Sequence, residues 1–304
     1  MWVKLIPVIF VVLWSSGFVG ARFGLQYAEP ATLLALRMMA NVTVFIVLIA
    51  FMRRRVPIGK DLLHASIVGL LIHGCYLGGT YQAISMGMPA GLCALLVGIQ
   101  PILTAVLLVG FSNQRLIASQ WLGLMVGFVG ISLVLMGNVE WQNDEHQLAA
   151  ICFTFTALVG ITLGTLYQKK FCHNVDMIGG ALVQYFASAI LFSIVAWNSE
   201  TMEVMWVPEF FAVMAWLVIV LSVFAILLLL FMVKSGESSK VASTFYLVPP
   251  VTAIQAWLVF NESFDWLGAL GFTLAAIAVY LVVRKPIVKE KKISVAQNSQ
   301  VKEG

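Results

Sequence analysis

The sequence predicts an all-α integral membrane protein, with ten transmembrane helices arranged as two inverted-topology five-helix repeats. Composition is the first reason. Of 304 residues, 61% are hydrophobic and 11% charged, and the mean hydropathy is +0.97, whereas a soluble domain is about half apolar and about a quarter charged. The second reason is that basic residues sort to alternate loops. The third is an internal repeat: at an offset of 149 residues Gly87 falls on Gly236, Pro101 on Pro250 and Phe111 on Phe260.

A hydrocarbon core about 30 Å thick takes roughly 20 apolar residues per helix. Ten such runs lie at 5–25, 31–52, 62–85, 90–111, 117–137, 148–168, 177–197, 209–233, 240–260 and 265–284. Val19 to Ala21 resembles a signal-peptidase site, but so many spans follow that an uncleaved first helix is expected. Span 1 carries Trp14 and Ser15. Trp14 lies near mid-span, away from the interfacial aromatic belts, which leaves cavity lining and ordinary packing both open. In span 2, Arg37 sits two turns inside the helix. A structural or gating role is expected, by pairing with Glu29 or by snorkelling to the interface; capture of a substrate carboxylate is the alternative.

Span 3 places His73, Tyr76 and Thr80 at i, i+3 and i+7, on one helical face. The stripe reads as a wall that hydrogen-bonds substrate, with interhelical bonding as the competing reading. In span 4, Cys93, Val97, Gln100 and Thr104 form a similar face, matched on span 9 by Ala242, Tyr246 and Pro249. Pro101 lacks an N–H and frees the carbonyl four residues back, which Gln100 either satisfies or leaves while facing substrate. Pro101, Pro249 and Pro250 read as kinks or gating hinges. In span 5 the small pair Gly123 and Gly127 marks close helix packing, with a dimer face as one option. Gln184, Tyr185 and Ser188 in span 7 read as helix–helix contacts. The polar tail after Lys285 is expected to be disordered and cytoplasmic. The domains are therefore 1–143 for the first repeat, 144–285 for the second, and 286–304 for the tail.

Orientation follows from the basic residues. With the N-terminus inside, inner segments hold sixteen of the eighteen Lys and Arg residues, while the outer loops hold Glu140, Asp144, Glu145, Glu200 and Glu203 and no base. Arg22 and Arg37 lie within spans or at their ends. Both termini are then cytoplasmic. Five spans is an odd number, so the second copy enters from the opposite side, a common plan in secondary transporters. The repeat is imperfect at one place. Twelve residues after Pro250 stands Glu262, and twelve after Pro101 stands Asn113.

These motifs carry a family resemblance. "WSSGFVGAR" in span 1, "EPATLLALR" opening span 2, a Gly ending span 3 in each half, and the repeated proline with a polar residue twelve positions on resemble the ten-span EamA branch of the drug/metabolite transporter superfamily. The resemblance covers about residues 5–284. It implies outward movement of small metabolites such as amino acids or their derivatives, through a cavity lined by helices 1, 3, 4, 6, 8 and 9. The family often carries an acid in both halves, so Asn113 is a departure.

Function is then read from polar groups inside the bilayer, which cost at least a few kcal/mol unless paired or wetted. No Asp or Glu lies deep in a span, so no carboxylate proton relay is visible, and His73 is the only histidine inside one. The substrate-binding candidates are Trp14, Ser15, His73, Tyr76, Thr80, Gln100 and Tyr246. The expected protein is a secondary transporter of the bacterial inner membrane, working by alternating access, without cofactor or metal, as a monomer or homodimer. Its partners are a small-molecule substrate and the lipid bilayer, with no nucleic acid. Transport of drugs or other amphipathic solutes is an alternative. A membrane-embedded enzyme is another, but the sequence has no HExxH, GxxxxGK[ST] or GxSxG. The cysteines, Cys75, Cys93, Cys152 and Cys172, show no metal spacing.

Overall fold

The computed structural model describes residues 5–112, 118–137, 146–225, 228, 247–262 and 265–283. Among these residues every regular element is helical, and the one strand-like contact is an isolated bridge between Ala28 and Val204. The helices are α1 (Ile6–Gly24), α2 (Pro30–Met52), α3 (Lys60–Ser85), α4 (Ala90–Gly98), α5 (Gln100–Ser112), α6 (Ala118–Gly137), α7 (Gln147–Phe171), α8 (Met177–Ser199), α9 (Pro208–Ala225), α10 (Val248–Phe260) and α11 (Trp266–Val283). Six of the described helices, α1, α2, α3, α7, α8 and α9, are long and apolar enough to cross a membrane. Shorter apolar helices occupy the other four expected runs.

Local chemistry sets the boundaries. Prolines stand in the first turns of α1, α2, α9 and α10, where a missing N–H costs nothing because the first-turn donors have no helical partner. Asp176 caps α8, its Oδ1 accepting from the backbone N–H of Ile178 at 3.1 Å and Gly179 at 2.9 Å. The tight turn from α3 to α4 passes through Gly87 at φ +90°, a conformation that favours glycine.

The expected single run at 90–111 is two helices. Pro101 offers no N–H to the carbonyl of Val97; the chain breaks at Ile99, and Ile102 and Leu103 donate back to the Ile99 carbonyl at 2.8 and 3.3 Å. Sequence periodicity also gave no sign of two π-helical stretches, Leu70–Leu77 in α3 and Trp216–Ala225 in α9. Such stretches rotate the following side chains out of α-helical register.

Packing is close where small residues meet. The α6–α11 pair is pressed together at Gly130 and Gly271: a Cβ on Gly130 would sit 2.7 Å from the Gly271 carbonyl oxygen, and one on Gly271 2.4 Å from that of Gly130. Gly127 faces Ile102 and Ala278 of the same chain, so the small face of α6 serves internal packing. α2 lies along α8. α1 packs against α9 and α10, and α7 packs against α3, α4 and α5. The main core runs through Leu33, Leu34, Met38, Phe45, Tyr81, Leu92 and Ala256. Outside it, large apolar side chains are bare: Phe51 is 86% exposed, Trp197 77% and Phe128 75%. Such a surface suits lipid, which has no hydrophobic penalty against them.

Candidate functional site

Two places concentrate polar chemistry. The first is a buried polar centre built on one stripe of α2. Arg37, Asn41 and Phe45 follow at i, i+4 and i+8 and so share a face. Arg37 is 7% exposed and Asn41 0%. Phe45 meets the Tyr185 ring of α8 edge-on at 5.1 Å, and His73 of α3 stacks on Tyr185 at 4.7 Å. Arg37 Nη1 donates to the Tyr81 hydroxyl at 2.8 Å. His73, Tyr76 and Tyr185 all lie within electrostatic reach of the Arg37 guanidinium. The pairing of Arg37 with Glu29 expected from sequence does not form, and Arg37 does not snorkel to the surface. Glu29 Oε2 instead accepts from Thr201 N and Oγ1 at 2.7 Å each and from Met202 N at 3.2 Å.

This centre holds polar atoms without hydrogen-bond partners: Arg37 Nε, Asn41 Nδ2 and Oδ1, His73 Nδ1 and Thr80 Oγ1. Buried polar atoms in folded proteins are nearly always paired, and exceptions call for water, an ion or a ligand. Among the described residues no carboxylate is within ion-pair distance of Arg37; the ion pairs are Arg22–Glu262 and Arg54–Asp176.

The second place is the end of the bundle where α1 finishes and α2 begins, called here the α1–α2 end. Three glutamates act there on segments far away in sequence. Glu200 accepts from Ala31 N, Thr32 N and Thr32 Oγ1, each at 2.7 Å, and so caps α2. Glu29 holds the α8–α9 loop as described above. Glu262 accepts from Ala90 N at 3.0 Å and Gly91 N at 3.1 Å, capping α4, and pairs with Arg22 of α1. Carboxylates are favoured at these positions because helix N-termini carry partial positive charge and free N–H groups. Asn261, at φ 54°, turns the chain at the end of α10 so that Glu262 can reach across.

The remaining sequence candidates fall as follows. His73 and Tyr76 are half-buried, and Thr80 is buried at 2% exposure. Trp14 is half-buried and packs with Phe10, ring centroids 5.3 Å apart. Ser15 is fully buried, its Oγ donating to the Val248 carbonyl at 3.1 Å, while Thr252 Oγ1 donates to the Ser15 carbonyl at 3.4 Å. Ser15 thus ties α1 to the start of α10. Gln100 Nε2 donates to Thr165 Oγ1 of α7 at 3.0 Å, a bond to another helix, while the freed carbonyl is handled by the break at Ile99. Pro249 fills the space left by Gly98, where a Cβ would come within 2.4 Å of its Cγ. Pro250 follows it in the first turn of α10, and Pro101 in the first turn of α5. Tyr246 lies outside the described residues, as do Ala242 and Asn113. Ser188 makes the expected helix contact, donating to the Gly69 carbonyl at 3.0 Å. Sequence reading missed Asn41, Tyr81 and the trans-acting glutamates. Asn41 had a signal, since it lies one turn beyond Arg37 in an apolar span.

Helices long and apolar enough to cross a membrane, a largely apolar outer surface and no strand among the described residues define a polytopic α-helical membrane protein. The chain belongs to the EamA-like transporter family, whose model matches residues 1–136 and 148–284. It is 22% identical over 277 residues to the uncharacterized transporter YvbV of Bacillus subtilis, covering 90% of this chain and 89% of that protein. It is 23% identical over 292 residues to the uncharacterized inner membrane transporter YedA of Escherichia coli, covering 91% of each. It is 24% identical over 284 residues to a protein of Escherichia coli named "Probable amino-acid metabolite efflux pump", covering 90% of this chain and 92% of that one. A crystal structure of a protein 15% identical matches with a TM-score of 0.61 over 92% of this chain and 95% of its own, which bears on the fold alone.

Proposed function

We propose that this protein is a secondary transporter that exports amino acids or their derivatives by alternating access between two inverted five-helix repeats. The observation that carries the reading is a swapped neighbour pattern. α1 packs on α9 and α10, and α7, the first helix of the second half, packs on α3 and α4. α2 pairs with α8, and α6 with α11, each pair joining the second or fifth helices of the two halves. A two-fold relation between halves produces this pattern. The π-helical stretches fall in the third helix of each half, and the family model matches each half separately. The relative named as an amino-acid metabolite efflux pump supports the solute class.

In this reading His73, Tyr76 and Thr80 line the path from the α3 side, and Tyr246, outside the described residues, is kept as a substrate-binding residue from the sequence alone. Ser15 lies where α1 meets α10, one residue after Trp14, and Gln100 lies where α5 meets α7, with Pro101, Pro249 and Pro250 as hinges. The N- and C-termini are cytoplasmic in a bacterial inner membrane, so the α1–α2 end faces outward. The path carries no catalytic group, and flux needs no proton relay.

The test is transport by purified protein in liposomes. Counterflow of a labelled amino acid is expected without an imposed pH gradient. Absence of flux above empty liposomes for every proteinogenic amino acid would overturn the solute class, and flux that vanishes without a pH gradient would overturn the uncoupled mechanism. Orientation is tested in intact cells. A cysteine replacing Ser199 is expected to react with an impermeant maleimide and one replacing His173 is not; the reverse pattern refutes the assignment.

A further inference from the structure

We infer that Arg37 and Asn41 of α2 form a receptor for a carboxylate on the transported molecule, an inference that rests on the transporter reading above. The argument begins with charge. Arg37 is 7% exposed in a bundle whose outer surface is apolar, and among the described residues no acid pairs with it. A buried cation without a counter-charge is unfavourable by several kcal/mol. Its bond to Tyr81 uses Nη1 and supplies a neutral acceptor only. Water can satisfy N–H groups, but it does not bring a negative charge.

The geometry then selects the kind of anion. Nε of Arg37 has no partner. The edge formed by Nε and its neighbouring Nη2 is one of the two edges of a guanidinium that match a carboxylate in a bidentate pair. One helical turn further on, Asn41 is fully buried with both amide atoms unpartnered. Its Nδ2 can donate to the same carboxylate, and its Oδ1 remains to accept from a donor on the same molecule. Unpartnered Thr80 Oγ1 and His73 Nδ1 belong to the same polar centre. Residues serving only to bind helices together would be expected to use these groups on one another. Here Arg37 Nε and both amide atoms of Asn41 find no such partner, and Tyr81 takes only Arg37 Nη1.

The test is ligand-dependent thermal stability of the purified full-length protein. L-leucine, L-phenylalanine and butyrate are compared with L-leucinamide, L-phenylalaninamide and butyramide, and with inorganic phosphate. Expected for the wild type is a Tm that rises with carboxylate concentration and stays flat with the amides. In Arg37→Gln the shift is lost, and in Asn41→Leu the midpoint concentration rises about tenfold or more, while both variants without ligand melt within a few degrees of the wild type. Three results overturn the inference: carboxylates and amides acting alike, phosphate alone acting, or a shift that survives Arg37→Gln. A collapse of Arg37→Gln together with a full shift in Asn41→Leu also overturns it and makes Arg37 a structural tie. If the carboxylates bind as expected but liposomes carry none of them, the site stands and the transporter reading falls.

Discussion

Replacing Glu262 by glutamine tests whether the knot at the α1–α2 end controls opening there. The Glu262 side chain is 7% exposed and joins three helices: it follows α10, pairs with Arg22 of α1, and accepts from the first two N–H groups of α4. An amide keeps one acceptor oxygen and loses the charge. Removing one member of a buried ion pair costs about 3–5 kcal/mol. Arg22 is 36% exposed and rests on the Phe260 ring at 4.4 Å, so solvent and the aromatic face soften the loss. About 2 kcal/mol is a fair remainder, which corresponds to roughly a 30-fold change in an equilibrium constant.

If those bonds exist only while this end is closed, the whole change falls on the closed state. The assay is maleimide labelling of a cysteine at Ala90, a fully buried position at this end, in a background where Cys75, Cys93, Cys152 and Cys172 are replaced. Glu262→Gln is expected to raise the labelling rate about 30-fold if closure governs access. An exposed acid in the first turn of α9, Glu209, gives the control variant Glu209→Gln, which is expected to leave the rate unchanged. An unchanged rate in Glu262→Gln, or an equal rise in the control, refutes the reasoning.

Three further outcomes are expected. Gly130→Ala forces a Cβ to within 2.7 Å of the α11 backbone and lowers stability by about 1–3 kcal/mol; Gly17→Ala, whose Cβ would meet only a leucine methyl at 3.5 Å, is tolerated, and melting curves compare the two. Gln100→Ala removes one bond to Thr165, whose hydroxyl still donates to the Ile161 carbonyl at 2.8 Å, so stability falls by about 0.5–1.5 kcal/mol, measured in the same way. Burial, and after it the Asp61 carboxylate, push the Cys172 thiol above its usual range. Thiolate is the reactive form, so labelling of Cys172 keeps rising with pH beyond about 8.5, the ordinary cysteine value, and Asp61→Asn moves the rise to lower pH.

The helices were legible because bilayer thickness and backbone satisfaction leave few choices. Apolar runs placed α1, α2, α7 and α8 to within a few residues. The places where periodicity failed have local causes. The run containing Pro101 divides at Ile99 because a proline removes the N–H that would continue the helix. The π-helical stretches in α3 and α9 come from tertiary fit, which hydropathy does not encode. In α3 the stripe of His73, Tyr76 and Thr80 therefore spans a register change, with His73 and Tyr76 inside Leu70–Leu77 and Thr80 beyond it.

The polar centre was half legible. Arg37 and His73 announced themselves as ionisable residues inside apolar spans, but their partners depend on which helices adjoin. Glu29 lies two turns before Arg37 and looked like its natural counter-charge. It belongs instead to the α8–α9 loop, because free N–H groups there reach it without drawing a carboxylate into the bilayer.

That preference has a wider consequence for the acids of this chain. α2, α4, α7, α9 and α11 all begin at the α1–α2 end, so their positive ends gather there. Glu29, Glu200 and Glu262 therefore sit where charge is favoured, and each spends its oxygens on a segment distant in sequence. At the opposite end the cross-link of this kind among the described residues is Arg54 with Asp176 at 3.5 Å, both partly exposed. Exposed pairs of that sort contribute about 0–1 kcal/mol, while a carboxylate that accepts two or three N–H or O–H bonds from a distant segment is worth more, most of all Glu262, whose side chain is 7% exposed. The two ends are thus held with unequal strength in this conformation. Weakening the α1–α2 end one glutamate at a time, from Glu29 to Glu200 to Glu262, should open that end in graded steps, whereas Asp176→Asn should leave labelling at Ala90 unchanged.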